Sequence, residues 1–227
     1  MIINDFDTST LTECYVTDFG DAEGAVERTE SVVIYGSNGT LVVPEGAFAG
    51  YNRTFTFIMK HLSDAMRLIN AFETSNNIIE MGYLMGSVFY CDLVSNKYQP
   101  IGQRWKVEIE VFMQPFRYQK DVENVILTTS GTIENQGTVY SEPIIVIEGA
   151  GLVTLTIGKQ LMELEIDTKA TIDCRHKQQN VYDKNGEIKN TIRKRGPFFE
   201  IPVGRSGVAT SGTVTKITIK GNWRYKV

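Results

Sequence analysis

Ile144-Ile145-Val146-Ile147-Glu148-Gly149-Ala150-Gly151-Leu152-Val153-Thr154-Leu155-Thr156-Ile157 is the stretch that decides the fold class of this chain. It reads as two short β-branched runs, Ile144 to Glu148 and Val153 to Ile157, parted by a Gly-Ala-Gly turn signal. The neighbouring runs have the same texture. Ile126 to Leu127 and Gly131 to Val139 precede it; Leu161 to Asp167, Lys169 to Asp173, Asn180 to Tyr182 and Thr213 to Tyr225 follow. Asn135-Gln136-Gly137, Asp183-Lys184-Asn185-Gly186 and the stretch from Gly204 to Gly207 read as the turns between them. Many short strands at this spacing, with no helical period among them, predict a β-sandwich of about a hundred residues.

Upstream, the composition shifts near Thr128. Residues 1–128 hold 17 Asp and Glu against 9 Lys and Arg, a net of −8; residues 129–227 hold 10 against 14, a net of +4. This predicts two domains, 1–128 and 129–227. In the first, Phe55, Phe57 and Met59 alternate with polar residues, as do Trp105, Val107, Ile109, Val111 and Met113, so both runs predict strands with one buried face. Gln114-Pro115-Phe116 is expected to stop the ladder of the second run, since proline lacks the donor a central strand needs. Ser31 to Val43 predicts a hairpin or long loop around Gly36 to Thr40. One helix is expected over 62–73, from Leu62, Ala65, Met66, Ile69 and Phe72, with Ser63 or Asp64 as its cap. The expected class is therefore mainly β, with one α-helix in the N-terminal domain and a C-terminal sandwich.

The 227 residues are 42 % hydrophobic and 22 % charged, the balance of an ordinary folded protein. No run of eighteen apolar residues occurs, and Asp5 and Asp7 stand where a secretory leader needs basic residues, so neither membrane insertion nor a cleaved leader is expected. Cys14, Cys91 and Cys174 are odd in number and far apart, which predicts reduced, buried thiols without a disulfide or zinc framework. The acidic N-terminal half argues against phosphate binding. The basic run Lys189, Arg193, Lys194 and Arg195 reads as a solvated loop.

Catalytic patterns are absent from the sequence: no G-x-S-x-G, no H-E-x-x-H, and no acid partner set by local spacing beside His61 or His176. Gly36-Ser37-Asn38-Gly39-Thr40 lacks the Lys-Ser/Thr of a phosphate loop and reads as a β-turn. Glu108 with Glu110 and Glu163 with Glu165 are same-face carboxylate pairs, the arrangement a glycosidase uses, but strand periodicity puts them on a polar, solvated face. Trp223 and Tyr225, alternating with Arg224 and Lys226, carry two readings, packing of the last strand or a platform for a sugar or partner. No catalytic residue, cofactor or metal ligand is expected, and composition and spacing point to binding or assembly.

The string Asn135-Gln136-Gly137-Thr138-Val139-Tyr140-Ser141-Glu142-Pro143, followed by Ile144 to Gly158, resembles the start of the C-terminal domain in the distal tail protein (Dit) family of long-tailed bacteriophages. Ile172-Asp173-Cys174, Val181-Tyr182, the segment from Gly196 to Gly204 and the closing Ile217 to Arg224 are similar to later elements of that family. Arg53 to Phe57 entering a helix, and Trp105 to Met113 leading into Gln114-Pro115-Phe116, extend the resemblance over nearly the whole chain. It implies a homo-hexameric ring made by the N-terminal domains, with galectin-like sandwiches projecting from it. Such a hub would join the tail tube protein to the tip protein (tail-associated lysin) and dock receptor-binding or baseplate proteins. DNA would pass through without specific binding, in a particle assembled in the host cytoplasm. The strand Arg104 to Met113, with Trp105, Val107, Ile109 and Val111, is the expected contact between subunits, and the acidic half is expected to line the lumen. The H-x-N-x-R and W-x-x-E-x-R segments of sugar-binding galectins are missing: Lys177-Gln178-Gln179-Asn180 follow His176, and Arg224-Tyr225-Lys226 follow Trp223. Direct contact with cell-wall saccharide, as a carbohydrate-binding module, is the alternative reading.

Overall fold

The structure is a computed structural model and describes residues 1–226. The chain divides into two units, one of residues 1–117 and one of residues 118–225, with Lys226 grouped with the first. This division lies eleven residues before the expected one, and Val125–Leu127 pairs with a strand of the second unit.

In the first unit, β1 (Ile2–Ile3), β2 (Phe6–Asp7), β3 (Tyr15–Asp18), β6 (Tyr51–Met59), β7 (Asn77–Glu80), β8 (Ser87–Ile101) and β9 (Arg104–Gln119) form one sheet in the order β2-β1-β7-β8-β9-β6-β3. β4 (Glu27–Val33) and β5 (Thr40–Phe48) form a separate two-stranded sheet. β6 alternates as its sequence predicts: Phe55, Phe57 and Met59 are buried, and opposite them stand Ile109, Val107 and Trp105 of β9. Against this layer lies α1 (Leu62–Asn70), whose Ala65 and Leu68 are wholly buried.

Two details of the expected helix differ. Its N-cap is His61, which makes no side-chain cap bond; Asp64, one turn in, instead accepts from the Thr12 amide at 3.1 Å and so ties the N-terminal segment to the helix. The helix ends at Asn70 rather than residue 73. Beyond it Asn77, fully buried, accepts from the Glu73 amide at 2.7 Å and donates to the Glu73 carbonyl at 2.7 Å, while Asn4 Nδ2 donates to Ala71 O at 2.9 Å. These side chains take up the backbone groups that another helical turn would use. The stop expected at Gln114-Pro115-Phe116 holds for the ladder with β6 and not for β9 itself. Pairing with β6 ends at Met113, so the proline lies beyond that ladder and the strand runs on to Gln119.

The second unit is one eight-stranded sheet bent into two layers. Its axis is a pair of long strands, β12 (Ile144–Ile157) and β17 (Gly204–Lys220), that run through both layers. Gly149-Ala150-Gly151, expected as a turn, lies inside β12, and the Gly204 to Gly207 stretch begins β17. The bend falls where the β12–β17 register shifts, at Glu148/Gly149 and again between Ala150 and Thr154, as β-bulges do. Gly212 has φ +91°, and a Cβ there would collide with the Leu152 carbonyl, so only glycine suits the bend.

One half of the axis carries β10 (Val125–Leu127), β14 (Lys169–Asp173) and β15 (Asn180–Tyr182); the other carries β11 (Gly131–Asn135), β13 (Gln160–Ile166) and β16 (Arg193–Arg195). The last strand, β18, covers Arg224–Lys226. Ile145, Ile147, Ile172, Ile217 and Ile219 from one layer meet Val153, Leu155, Met162, Leu164 and Val208 from the other in a single apolar core. The basic run expected as a loop is in part the edge strand β16, where Arg195 faces Glu163. A charged edge of this kind resists further strand pairing.

Candidate interaction surfaces

The structure places the sequence-predicted contact residues in different settings. Val107, Ile109 and Val111 are wholly buried in the core of the first unit, on a strand flanked by β8 and β6, so their side chains hold that core and offer nothing to a neighbour. The alternation in β9 was legible, but not that its apolar face is the inner one of a central strand. Trp105 alone is half-buried, with its ring 6.1 Å from that of Tyr98.

Trp223 is 4 % exposed and belongs to the core of the second unit, and Tyr225 packs against that core with its hydroxyl 3.1 Å from Gln119 Oε1. A sugar face stacks on an open ring, and the Trp223 ring is closed off. The same segment explains the motif Asn135-x-Gly137-x-x-x-Ser141-x-Pro143. Asn135, 2 % exposed, donates to the carbonyls of Val139 and Ile201, both at 2.9 Å, and accepts from the Gly137 amide at 2.8 Å. A Cβ on Gly137 would strike the Arg224 backbone, whose carbonyl accepts from the Thr138 amide at 2.9 Å. Ser141 exchanges both backbone bonds with Ile201 at 2.8 Å, and its hydroxyl donates to the carbonyls of Gly221 and, at 3.0 Å, Asn222. Arg224 Nε donates to Tyr140 O at 2.9 Å, and its Nη1 is 3.3 Å from Glu142, whose other oxygen accepts from the His176 amide at 2.9 Å. The motif is thus a latch that fastens the chain's end to the sandwich.

The carboxylate pairs are engaged on polar faces. Glu108 pairs with Lys106, and Glu110 accepts from the Ser95 hydroxyl at 2.9 Å. Glu165 is bonded by Lys194 at 2.6 Å, and that bond holds its carboxyl below the ordinary value. Glu165 and Lys194 line an open groove of about 310 Å³ together with Asp167 and Lys189. Its charges are of both signs, and Asp167 is in turn paired with Lys184 at 2.6 Å. Among the described residues no cluster of His, Cys, Asp and Glu is arranged to hold a metal ion, and no helix is long and apolar enough to cross a membrane.

Cys91 and Cys174 are buried, and desolvation pushes both thiols up to about 12; Cys14 is half-buried and raised by the same cause. Because these folded-state values lie above the unfolded one, the stabilisation they carry is complete below about pH 9 and is lost as pH rises toward 12. A thiol reagent at pH 8 should therefore modify at most Cys14 in the native chain and all three thiols in urea. The urea midpoint of a Cys91→Ala/Cys174→Ala chain should fall less between pH 8 and 10.5 than that of the parent. Equal falls would show that the two thiols are not desolvated.

What the sequence reading passed over is the character of the β4–β5 hairpin. Every residue of β4, and β5 as far as Gly46, is exposed. Yet the hairpin carries Val32, Val33, Ile34, Tyr35, Leu41, Val42 and Val43. The signal was present: the apolar residues are consecutive, 32–35 and 41–43, and not alternate, so neither face of the hairpin is polar.

No protein-family model and no curated protein matches this sequence. Among solved structures, the chain is similar to the Dit protein of phage SPP1 (gp 19.1), described as a paradigm of the hub adsorption apparatus in phages that infect Gram-positive bacteria. The likeness has a TM-score of 0.69 at 13 % identity and covers 96 % of this chain and 97 % of that one. The fold is the one expected from sequence: mainly β, with one α-helix in the N-terminal unit and a galectin-like C-terminal β-sandwich.

Proposed function

We propose that this chain is a distal tail protein, a structural hub of a phage tail rather than an enzyme. The observation that carries the reading is the fold match to a hub protein over nearly the full length of both chains. The hub is a homo-hexamer whose ring is built by the N-terminal units. It joins the tail tube to the tip or baseplate in the virion and surrounds the channel through which DNA leaves. The C-terminal galectin-like sandwich serves as the docking platform for receptor-binding or baseplate proteins. Burial of Trp223 supports this over direct saccharide binding, since the aromatic residue best suited to a sugar face is spent on the core. The net −8 of residues 1–128 suits a lumen that releases DNA.

Light scattering behind size exclusion, with negative-stain images, tests the reading. Six subunits of 25.5 kDa give about 153 kDa and a ring with a central hole. A 25.5 kDa species at every concentration, together with saccharide binding on a glycan array, would replace the hub with a binding module.

A further inference from the structure

We infer that the β4–β5 hairpin of one subunit docks as added strands along the open edge of β8 in a second copy of this chain. The inference rests on the ring reading above and names the two surfaces that would build it.

The hairpin comes first. A two-stranded sheet exposed on both faces is marginal alone in water. Val32 pairs with Leu41 on one face, and Ser31 with Val42 and Val33 with Thr40 on the other, so apolar side chains are presented on both sides. An exposed apolar hairpin with open edges is a ready template for pairing with another chain. Its charge is one-sided: Glu27, Glu30 and Glu45 stand against Arg28, and Arg28 is already paired with Glu45 at 3.3 Å.

The second surface lies on the same unit. β7 pairs with β8 only from Phe89 to Cys91, and no other strand among the described residues covers residues 94–101 on that side. The Leu93 amide points to that edge, donating to Thr74 O at 3.2 Å, so by strand alternation the amides of Ser95, Lys97, Gln99 and Ile101 point the same way. Val94, Tyr98 and Ile101 are 45–51 % exposed there, with Trp105 against Tyr98.

The two surfaces match in charge and length. Residues 94–106 carry Lys97, Arg104 and Lys106 and no carboxylate. Arg104 is bonded to Glu13 at 2.6 Å and Lys106 to Glu108, which leaves Lys97 without a carboxylate partner among the described residues, opposite in sign to Glu27 and Glu30. Eight residues of open edge extend about 26 Å, and hairpin strands of seven and nine residues extend about 23 and 30 Å. Because the two patches differ, the contact is head-to-tail, the type that closes into a ring.

Two variants test this. In the first, residues 28–45 are replaced by Gly-Ser-Gly; none of them belongs to the buried core. In the second, Lys97→Pro removes an outward amide and the unpaired cation at an exposed edge position that tolerates proline. The parent should assemble at about 153 kDa and each variant should fall about six-fold to its own monomer mass, 25.5 kDa for Lys97→Pro and slightly less for the shortened chain, with the helix and core sheets retained by circular dichroism. Mixing the two should give a dimer at about twice the monomer mass and nothing larger, since only one competent hairpin and one competent edge remain. An assembly that keeps its mass without the hairpin, or a mixture that stays monomeric, would overturn the docking while leaving the ring reading in place; a parent that is itself monomeric would overturn both.

Discussion

Asn135→Asp is expected to unfold the C-terminal unit at about 2 M less urea than the parent, the largest effect we anticipate from a single-atom exchange. The Asn135 amide nitrogen donates to Val139 O and Ile201 O in a fully buried setting, and a carboxylate has no proton to give either carbonyl. Ile201 O keeps the Ser141 amide; Val139 O would face a buried negative oxygen. Each orphaned buried group costs roughly 1–3 kcal/mol and the buried charge adds to it, so about 4 kcal/mol is lost, close to 2 M at an ordinary urea slope. The chain supplies its own reporter. Its two tryptophans fall one in each unit, so a Trp105→Phe background leaves Trp223 fluorescence to follow the second unit alone. A midpoint within 0.5 M of the parent would show that the latch is not held by Asn135.

Arg224→Met should destabilise the same unit by about 3–5 kcal/mol, the usual result of leaving one partner of a buried ion pair alone. Arg224 is 3 % exposed and Glu142 8 %, and the methionine would fill the apolar stem while stranding the carboxylate and the Tyr140 carbonyl. Adding Glu142→Gln removes the stranded charge and keeps an acceptor for the His176 amide. The double variant should therefore be more stable than Arg224→Met, although Glu142→Gln in the parent should be destabilising. If the two losses simply add, no coupling exists between the side chains, and the ion pair is not part of the latch.

The hub proposed above would need two things of its sequence, a unit that assembles and a platform that stays folded while it does. Asn135, Ser141 and Arg224 serve the second, since they fasten residues 221–224 to the body of the sandwich. Exposed apolar side chains on the β4–β5 hairpin serve the first on the inference drawn above, because their burial would come only from another chain.

Much of this was written locally in the sequence. Alternation at Phe55, Phe57 and Met59 and again at Val107, Ile109 and Val111 gave strands with one apolar face. The three- and four-residue spacing from Leu62 to Phe72 gave the helix, and the short runs after residue 125 gave an all-β second half. Each signal depends only on neighbours within a few residues, through pleat, turn and backbone geometry. Tertiary structure decided the rest. Gly149-Ala150-Gly151 has the composition of a turn, but pairing with β17 on one side and with β13 and β14 on the other keeps it in strand, and the glycines become the bend between layers. Whether Val107 or Trp223 faces a neighbour or a core is likewise invisible to periodicity, which tells that two residues share a face and not what covers it. What covers a face is set by contacts between residues far apart in sequence, such as Asn135 with Ile201 and Tyr140 with Arg224. Those contacts exist only once the chain has closed.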